Sequence, residues 1–269
     1  MLDISNLSVT YAGSGYPSLN KVTIRGQKGE LVVVGGPSGC GKSTLAKVIL
    51  GLIPHFEEAT VVGEIRVAGR TLDNLTRHDI LKLFGYLPQY PYDSTISLLA
   101  EEEVAFPLEN SGVEPKKIHE RMQWLFRELG IEHLQGRIMT ELSSGELQKV
   151  SLATAIACQP PILVLDEPMA RVDSRTGVKI AQLIQQLARQ DHLILVFEHH
   201  LEHLLPIADR LIILRHGQVV ADGIPRSVVD ELDRVDLPEV CQLHAPGNSQ
   251  PLSLDEAVEG WKHYIQGEQ

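Results

Sequence analysis

Apolar and polar residues alternate through the first thirty positions, with Leu2, Ile4, Leu7 and Val9 followed by Val22 and Ile24. Gly13, Gly15, Pro17, Gly26 and Gly29 punctuate them, a pattern that predicts short antiparallel strands. Leu31–Val34 is a continuous aliphatic run, as expected of a strand buried on both faces. It enters a glycine-rich turn and then Ser43–Leu52, where Leu45, Val48, Ile49 and Leu52 fall at helical spacing before Pro54. A further strand pair is expected near Gly63–Val67. From Ser97 to Cys158 the period is helical: Ile118, Met122, Leu125, Phe126 and Leu129 mark one helix, and Leu147–Ala157 is another. The pattern then returns to strand (Ile162–Leu165), helix (Arg175–Arg189) and strand (Leu193–Phe197). A hairpin follows, Leu211–Leu214 and Val219–Val220, around Gly217.

Strand–helix–strand alternation at both ends predicts an α/β chain with a doubly wound, mostly parallel sheet. The central helical block reads as an insertion, and the tail from Pro225, rich in Pro and acidic residues, as a small appended unit. Composition narrows the function. The formal net charge of −11 speaks against a nucleic-acid partner, which calls for a basic footprint. Cys40, Cys158 and Cys241 are few, far apart and without metal-ligand spacing, so reduced thiols in a cytosolic setting are expected. No charged-then-apolar leader follows Met1, and no apolar run nears the roughly 20 residues of a membrane span. The expectation is a chain that can sit on a membrane without crossing it.

Two stretches carry chemistry. Gly36-Pro37-Ser38-Gly39-Cys40-Gly41-Lys42-Ser43 fits G-x-x-x-x-G-K-[ST] between a buried strand and an amphipathic helix. Glycines let the backbone curl so that N–H groups face a phosphate, and the helix N-terminus adds positive potential. Lys42 supplies a mobile ammonium for the β- and γ-phosphates, Ser43 a hydroxyl for Mg²⁺, and Thr44 a contact near the α-phosphate. The second stretch, Ile162–Leu165, ends in Asp166 and Glu167, where open α/β sheets bind ligands. Such a pair can simply cap a turn. Beside a phosphate loop, Asp166 becomes a Mg²⁺ partner, directly or through bound water, and Glu167 is placed to orient or deprotonate a water attacking the γ-phosphate.

Leu142-Ser143-Ser144-Gly145-Glu146-Leu147-Gln148 opens the strongest central helix, and Ser143 with Glu146 forms a capping box. The stretch also resembles the signature sequence of ABC-type ATPases, and it lies upstream of the acidic strand as in that family. The resemblance extends along the chain. Tyr11 is similar to the aromatic residue that stacks on adenine. Gln89, in Gly85-Tyr86-Leu87-Pro88-Gln89, resembles the glutamine that links nucleotide and its metal to the helical subdomain. Asp173 matches the loop that crosses between subunits, and His199 the switch histidine at the γ-phosphate, with His200 beside it. The resemblance implies a P-loop fold with a mixed sheet, an antiparallel β subdomain, an inserted helical subdomain and a small C-terminal extension. It places the ATPase domain at 1–224, the helical part at about 90–158 and the extension, a candidate ATPase dimerisation unit, at 225–269. It also implies that ATP, with Mg²⁺ held by Ser43, Gln89 and Asp166, is sandwiched between two subunits. Ser143, Ser144, Gly145 and Glu146 of one would then close on the phosphate loop of the other.

Glu102-Glu103-Val104-Ala105-Phe106, Leu108-Glu109-Asn110 with Gly112, and Glu198-His199-His200-Leu201-Glu202 resemble the energy-coupling factor ATPases of vitamin and metal-ion importers. So do Leu237-Pro238-Glu239-Val240 and Pro251-Leu252-Ser253-Leu254-Asp255-Glu256-Ala257 in the tail. The partners implied are a second ATPase subunit, identical or paralogous, an integral membrane coupling protein and, through it, a substrate-binding membrane component. The expected location is peripheral, on the cytoplasmic face of the membrane. A conventional ABC transporter ATPase and a soluble ABC protein remain as alternatives. Three features depart from the family pattern: Ser144 in place of a glycine, Arg171 where small residues are common, and the aromatic Tyr90-Pro91-Tyr92. Cys40 has two readings: a small residue tolerated in the loop, or a reactive thiol whose adduct would block the β-phosphate, which predicts inhibition by thiol reagents and protection by ATP.

Overall fold

A computed structural model describes residues 1–232, 241–242 and 250–266. Two sheets form the frame. The first is antiparallel, in the order β2 (Leu19–Gly26), β1 (Leu2–Tyr11), β4 (Ala59–Val67), β5 (Arg70–Thr71). The second runs β10 (Gln218–Gly223), β9 (Arg210–Arg215), β3 (Leu31–Gly35), β8 (Leu193–Phe197), β7 (Ile162–Asp166), β6 (Phe84–Leu87). All its neighbours are parallel except β10, which returns antiparallel on β9. The sheet is therefore mixed, as expected of this fold.

The aliphatic strands are buried on both faces because each divides its side chains between two cores. Val32, Val34, Ile162, Val164, Leu195 and Phe197 face α1 (Lys42–Ile49) and the antiparallel sheet. Leu31, Val33, Leu163, Leu165, Ile194 and Val196 face the helical layer. That layer contains α3 (Ala100–Asn110), α4 (Pro115–Glu128) and α5 (Ser144–Ala157), with α6 (Ser174–Ala188) against the same face. Arg121 on α4 donates to the carbonyls of Ala157 (3.1 Å) and Ile156 (3.0 Å), satisfying the C-terminal end of α5.

Two elements ahead of the tail went unread in the sequence. α2 (Arg77–Leu83) starts on a Thr76–Asp79 capping box, and β6 is only four residues long. At Gly85 in β6 a Cβ would come within 2.1 Å of the Ala155 carbonyl, so the strand fits flush against the end of α5. The strand near Gly63 pairs chiefly with β1 rather than with a local hairpin partner; β5 adds only two residues. In the tail, α7 (Pro225–Glu231) buries Val228 and Val229 in the helical-side core, which Cys241 and Leu252 also join. Arg226 of α7 bridges to Glu256 of α8 (Leu254–Gln266) at 2.8 Å. The stretch Leu237–Val240, one of the tail resemblances, lies outside the described residues. Among the described residues no helix is long and apolar enough to cross a membrane.

Candidate nucleotide site

The C-terminal ends of β3, β7 and β8 converge on one edge of the parallel sheet, and the candidate residues leave from there. Between β3 and α1 the chain curls through Gly36 (φ 144°) and Gly41 (φ 111°). A Cβ at Gly36 would lie 2.2 Å from the Leu214 carbonyl, and one at Gly41 2.6 Å from that of Ser18, so neither place tolerates a side chain. Gly41 begins α1 and no side chain caps the helix, which leaves its first N–H groups to an anion. A cavity of about 180 Å³ lies over the loop, lined by Ser38–Gly39, Gly41–Thr44, Gln89, Glu167 and His199.

Lys42 is only 5% exposed. Its Nζ donates to the carbonyls of Gly36 (2.7 Å) and Pro37 (3.1 Å) and lies 3.4 Å from His199 Nδ1. Burial lowers the Lys42 pKa, opposed by Cys40 and by the carboxylates of Glu167 and Asp166. Asp166 is 2% exposed, and burial raises its pKa to about 6 against the pull of the Ser43 hydroxyl. Its Oδ1 is buried without a hydrogen-bond partner. An unsatisfied carboxylate oxygen beside the Ser43 hydroxyl is a donor set suited to a hard divalent cation, so the residues fit Mg²⁺.

Glu167 occupies the left-handed region (φ 53°). Its N–H donates to Phe197 O at 2.8 Å, and its carbonyl accepts from Gln148 Nε2 at 2.9 Å. Its Oε1 accepts from Gln89 Nε2 at 2.9 Å and lies 3.3 Å from His199 Nε2. Donation by Lys42 to Nδ1 leaves the His199 Nε2–H directed at Glu167, the pattern of a neutral imidazole. Burial and the Lys42 charge lower the His199 pKa, in keeping with this. His200 does not line the phosphate cavity, which leaves His199 as the imidazole beside it.

Gly36–Thr44, Gln89, Asp166, Glu167 and His199 are thus brought together. Tyr11 sits one step outside, its hydroxyl 3.3 Å from Thr44 Oγ1. The residues from Ser143 to Glu146 do not line the cavity. Ser143 caps α5, accepting from the Glu146 N–H at 3.3 Å while Glu146 Oε2 accepts from the Ser143 N–H at 2.8 Å. Asp173 caps α6 through Thr176 N–H at 3.1 Å and lines an open cavity of about 840 Å³ that adjoins the phosphate cavity, sharing Ser38, Glu167 and His199 with it. Of the two readings of Cys40 the packing favours the small tolerated residue: Cys40 is 4% exposed and absent from the cavity lining. It packs where a Cβ on Gly36 would be 2.8 Å from Sγ, so a reagent reaches it only by displacing the loop.

Gln148 and Glu198 are contacts that the motifs did not disclose. Glu198 was legible in one respect, since it ends an aliphatic strand as Asp166 does. It is 3% exposed, and its carboxyl accepts from the N–H groups of Met169 (3.1 Å) and His199 (3.0 Å). Burial raises its pKa from 4.5 to about 7. A carboxyl with a raised pKa makes the folded chain bind more protons than the unfolded one between those values. Its contribution to stability therefore falls as pH rises from 4.5 to about 7. Replacing Glu198 by Gln should remove this slope, a change on the order of 3 kcal/mol across the window, whatever the constant offset of the variant. Urea unfolding at pH 5 and pH 8 measures it, and an unchanged slope would contradict the assignment.

A glycine loop closed on a helix, facing a strand that ends in paired carboxylates, defines a P-loop nucleotide-binding fold. The chain belongs to the ABC transporter family, whose model matches residues 19–170. An ABC transporter ATP-binding protein of Saccharolobus solfataricus is 35% identical over 232 residues, covering 86% of this chain and 44% of that protein. Another, of Methanosarcina acetivorans, is 34% identical over 266 residues, covering 96% of this chain and 42% of that protein. The chain spans less than half the length of either relative. Among solved structures, the dimeric ATP-binding cassette MJ0796 bound to ADP and Pi matches with a TM-score of 0.75 at 27% identity, over 84% of this chain and 99% of that one. CbiO1 of Clostridium perfringens, part of the transporter complex cbiONQ, shares the fold at a TM-score of 0.72 and 24% identity, over 86% of this chain and 90% of that one. The cofactors of the family are ATP and Mg²⁺, which the donor set around Ser43 and Asp166 fits.

Proposed function

We propose that the chain is the ATP-hydrolysing subunit of a membrane importer of energy-coupling factor type, working from the cytoplasmic face. The observation that carries the hydrolytic part is the Glu167 carboxylate, pinned between Gln89 and His199 at the rim of the phosphate cavity. In this reading the loop N–H groups and Lys42 bind the phosphates. Ser43, Asp166 and Gln89 would hold Mg²⁺, which would supply neutralising charge to the phosphates. Glu167 takes the proton of the attacking water, and His199 Nε2–H holds the carboxylate in place.

The residues from Ser143 to Glu146 lie off the phosphate cavity, so the site takes its second wall from another subunit, identical or paralogous. The dimeric form of MJ0796 supports this reading. The importer assignment rests on the resemblances at Glu102–Phe106, Leu108–Asn110, Glu198–Glu202 and Pro251–Ala257. Tyr90, Tyr92, Ile96, Leu98 and Phe106 are exposed around the helical subdomain and offer an apolar face to a membrane coupling protein. Residues 1–224 serve as the cassette, with its helical part at about 90–158, and 225–269 as an extension that pairs ATPases.

Purification of the full-length tagged chain from detergent-extracted membranes tests the assignment. It should recover an ATPase partner, one integral coupling protein and a separable substrate-binding membrane protein. A pair of dedicated permease subunits would identify a conventional ABC transporter instead. Recovery of no membrane protein would overturn the transport reading.

A further inference from the structure

We infer that Arg171 is a positioning residue that latches the loop before Asp173 onto the segment carrying Gln89, and through Gln89 fixes the carboxylate of Glu167. The inference rests on the hydrolytic reading above. Nη1 of Arg171 donates to the Gln89 carbonyl at 3.0 Å, and the guanidinium lies over the Tyr90 ring, 5.2 Å from its centre. Gln89 in turn donates its side-chain amide to Glu167 Oε1 at 2.9 Å. The Ala170 N–H donates to the Glu167 carbonyl at 3.1 Å and closes the circuit through the main chain.

The two ends of this latch leave different strands. Gln89 follows β6, at the outer edge of the sheet, and Arg171 follows β7 beside it. A planar fork that bonds one group and stacks on another suits Arg and not Lys. The backbone agrees. Arg171 has φ 65°, a conformation that costs a large side chain energy and persists where the surroundings hold it. On the far side the Gly145 backbone approaches Arg171 so closely that a Cβ there would come within 2.9 Å of the Arg171 carbonyl. The start of α5 therefore rests on the residue whose side chain grips Gln89. A subunit that presses on Gly145 or on residues 171–173 displaces Gln89 and the base together.

A double-mutant cycle in steady-state ATP hydrolysis by the purified full-length chain tests the latch. Arg171→Ala should lower kcat about tenfold and change KM for ATP by less than about twofold. Arg171→Lys should recover little of the loss, and Tyr90→Phe, which keeps the ring, should retain wild-type rates. In a Gln89→Ala background, Arg171→Ala should change kcat by less than about twofold, because its route to Glu167 is already cut. A full tenfold loss there would overturn the latch. Arg171 is exposed, so Ala leaves no cavity; should it nevertheless unfold the chain, Arg171→Met enters the same cycle with the bulk kept and the donor removed. Glu167→Gln, assayed alongside, separates the two levels. Wild-type hydrolysis by that variant would remove the hydrolytic reading and the latch with it. An inactive Glu167→Gln with independent effects of Arg171 and Gln89 would remove the latch alone.

Discussion

Replacing Glu167 by Gln is expected to stop turnover and to trap an ATP-bound dimer. The position of residue 167 is set by its backbone, through the N–H on Phe197 O and the carbonyl under Gln148 Nε2. Neither contact involves the carboxylate, so the substitution leaves the main chain where it is. An amide of the same shape can still accept from Gln89, and what it loses is basicity. General-base assistance contributes roughly 100- to 10,000-fold, so kcat should fall to about a hundredth of the wild-type value or lower. ATP affinity should stay within about threefold, because Lys42 and the loop are untouched. Hydrolysis rates measured beside size-exclusion chromatography in Mg²⁺ and ATP give both parts of the result. Rapid hydrolysis by the variant would refute Glu167 as the base.

Lys42→Ala is expected to act at the earlier step, weakening ATP binding by about 100-fold, the equivalent of one or two charge-assisted hydrogen bonds. The ammonium is almost fully buried, and its neighbours within bonding distance are two loop carbonyls, His199 Nδ1 and the Cys40 sulfur. A cation in so dry a place acts on a phosphate with little screening. The loss should be electrostatic rather than architectural, since Gly36 and Gly41 set the loop's path through their own backbone angles. Lys42→Arg should rescue little, because a guanidinium is wide for a cavity of about 180 Å³ already lined by Gln89, Glu167 and His199. Calorimetric titration with a slowly hydrolysed ATP analogue measures the affinities. Wild-type affinity in Lys42→Ala would remove the lysine from the phosphate site.

The parts of this molecule that were legible in the sequence are those where a local rule decides the outcome. A strand buried on both faces must be aliphatic throughout, so β3, β7 and β8 stood out, and with them the sheet edge where the site lies. The phosphate loop was legible because glycine, lysine and hydroxyl at fixed spacing have one common physical use. β6 was not, because four residues with a glycine among them carry no period; its strand character comes from pairing with β7. The tail helix α8 lay beyond the Pro- and acid-rich stretch and went unread for the same want of local contrast. Cys40 could be read either way in the sequence, since a position inside the loop suggests access while its packing against Gly36 depends on the folded loop. Gln148 and Arg171 illustrate a third limit: their partners, Glu167 and Gln89, are contacts made across the fold, and no spacing along the chain encodes them.

The division of the strands between two cores sets where this protein is able to flex. β3, β7 and β8 are clamped by apolar side chains above and below, and a shift in any one of them would unseat both layers at once. Lys42, Asp166 and His199 are thus mounted on a rigid plate, with the loop and strand ends as their brackets. Gln89 hangs from the outermost strand, and Ser143 from the start of α5, which a capping box, the close approach of Arg171 and the bond from Gln148 to the Glu167 carbonyl hold in place. On the function proposed above, mechanical work would leave by those two places, and nucleotide chemistry would reach the outside of the molecule as a tilt of its margin around a still centre.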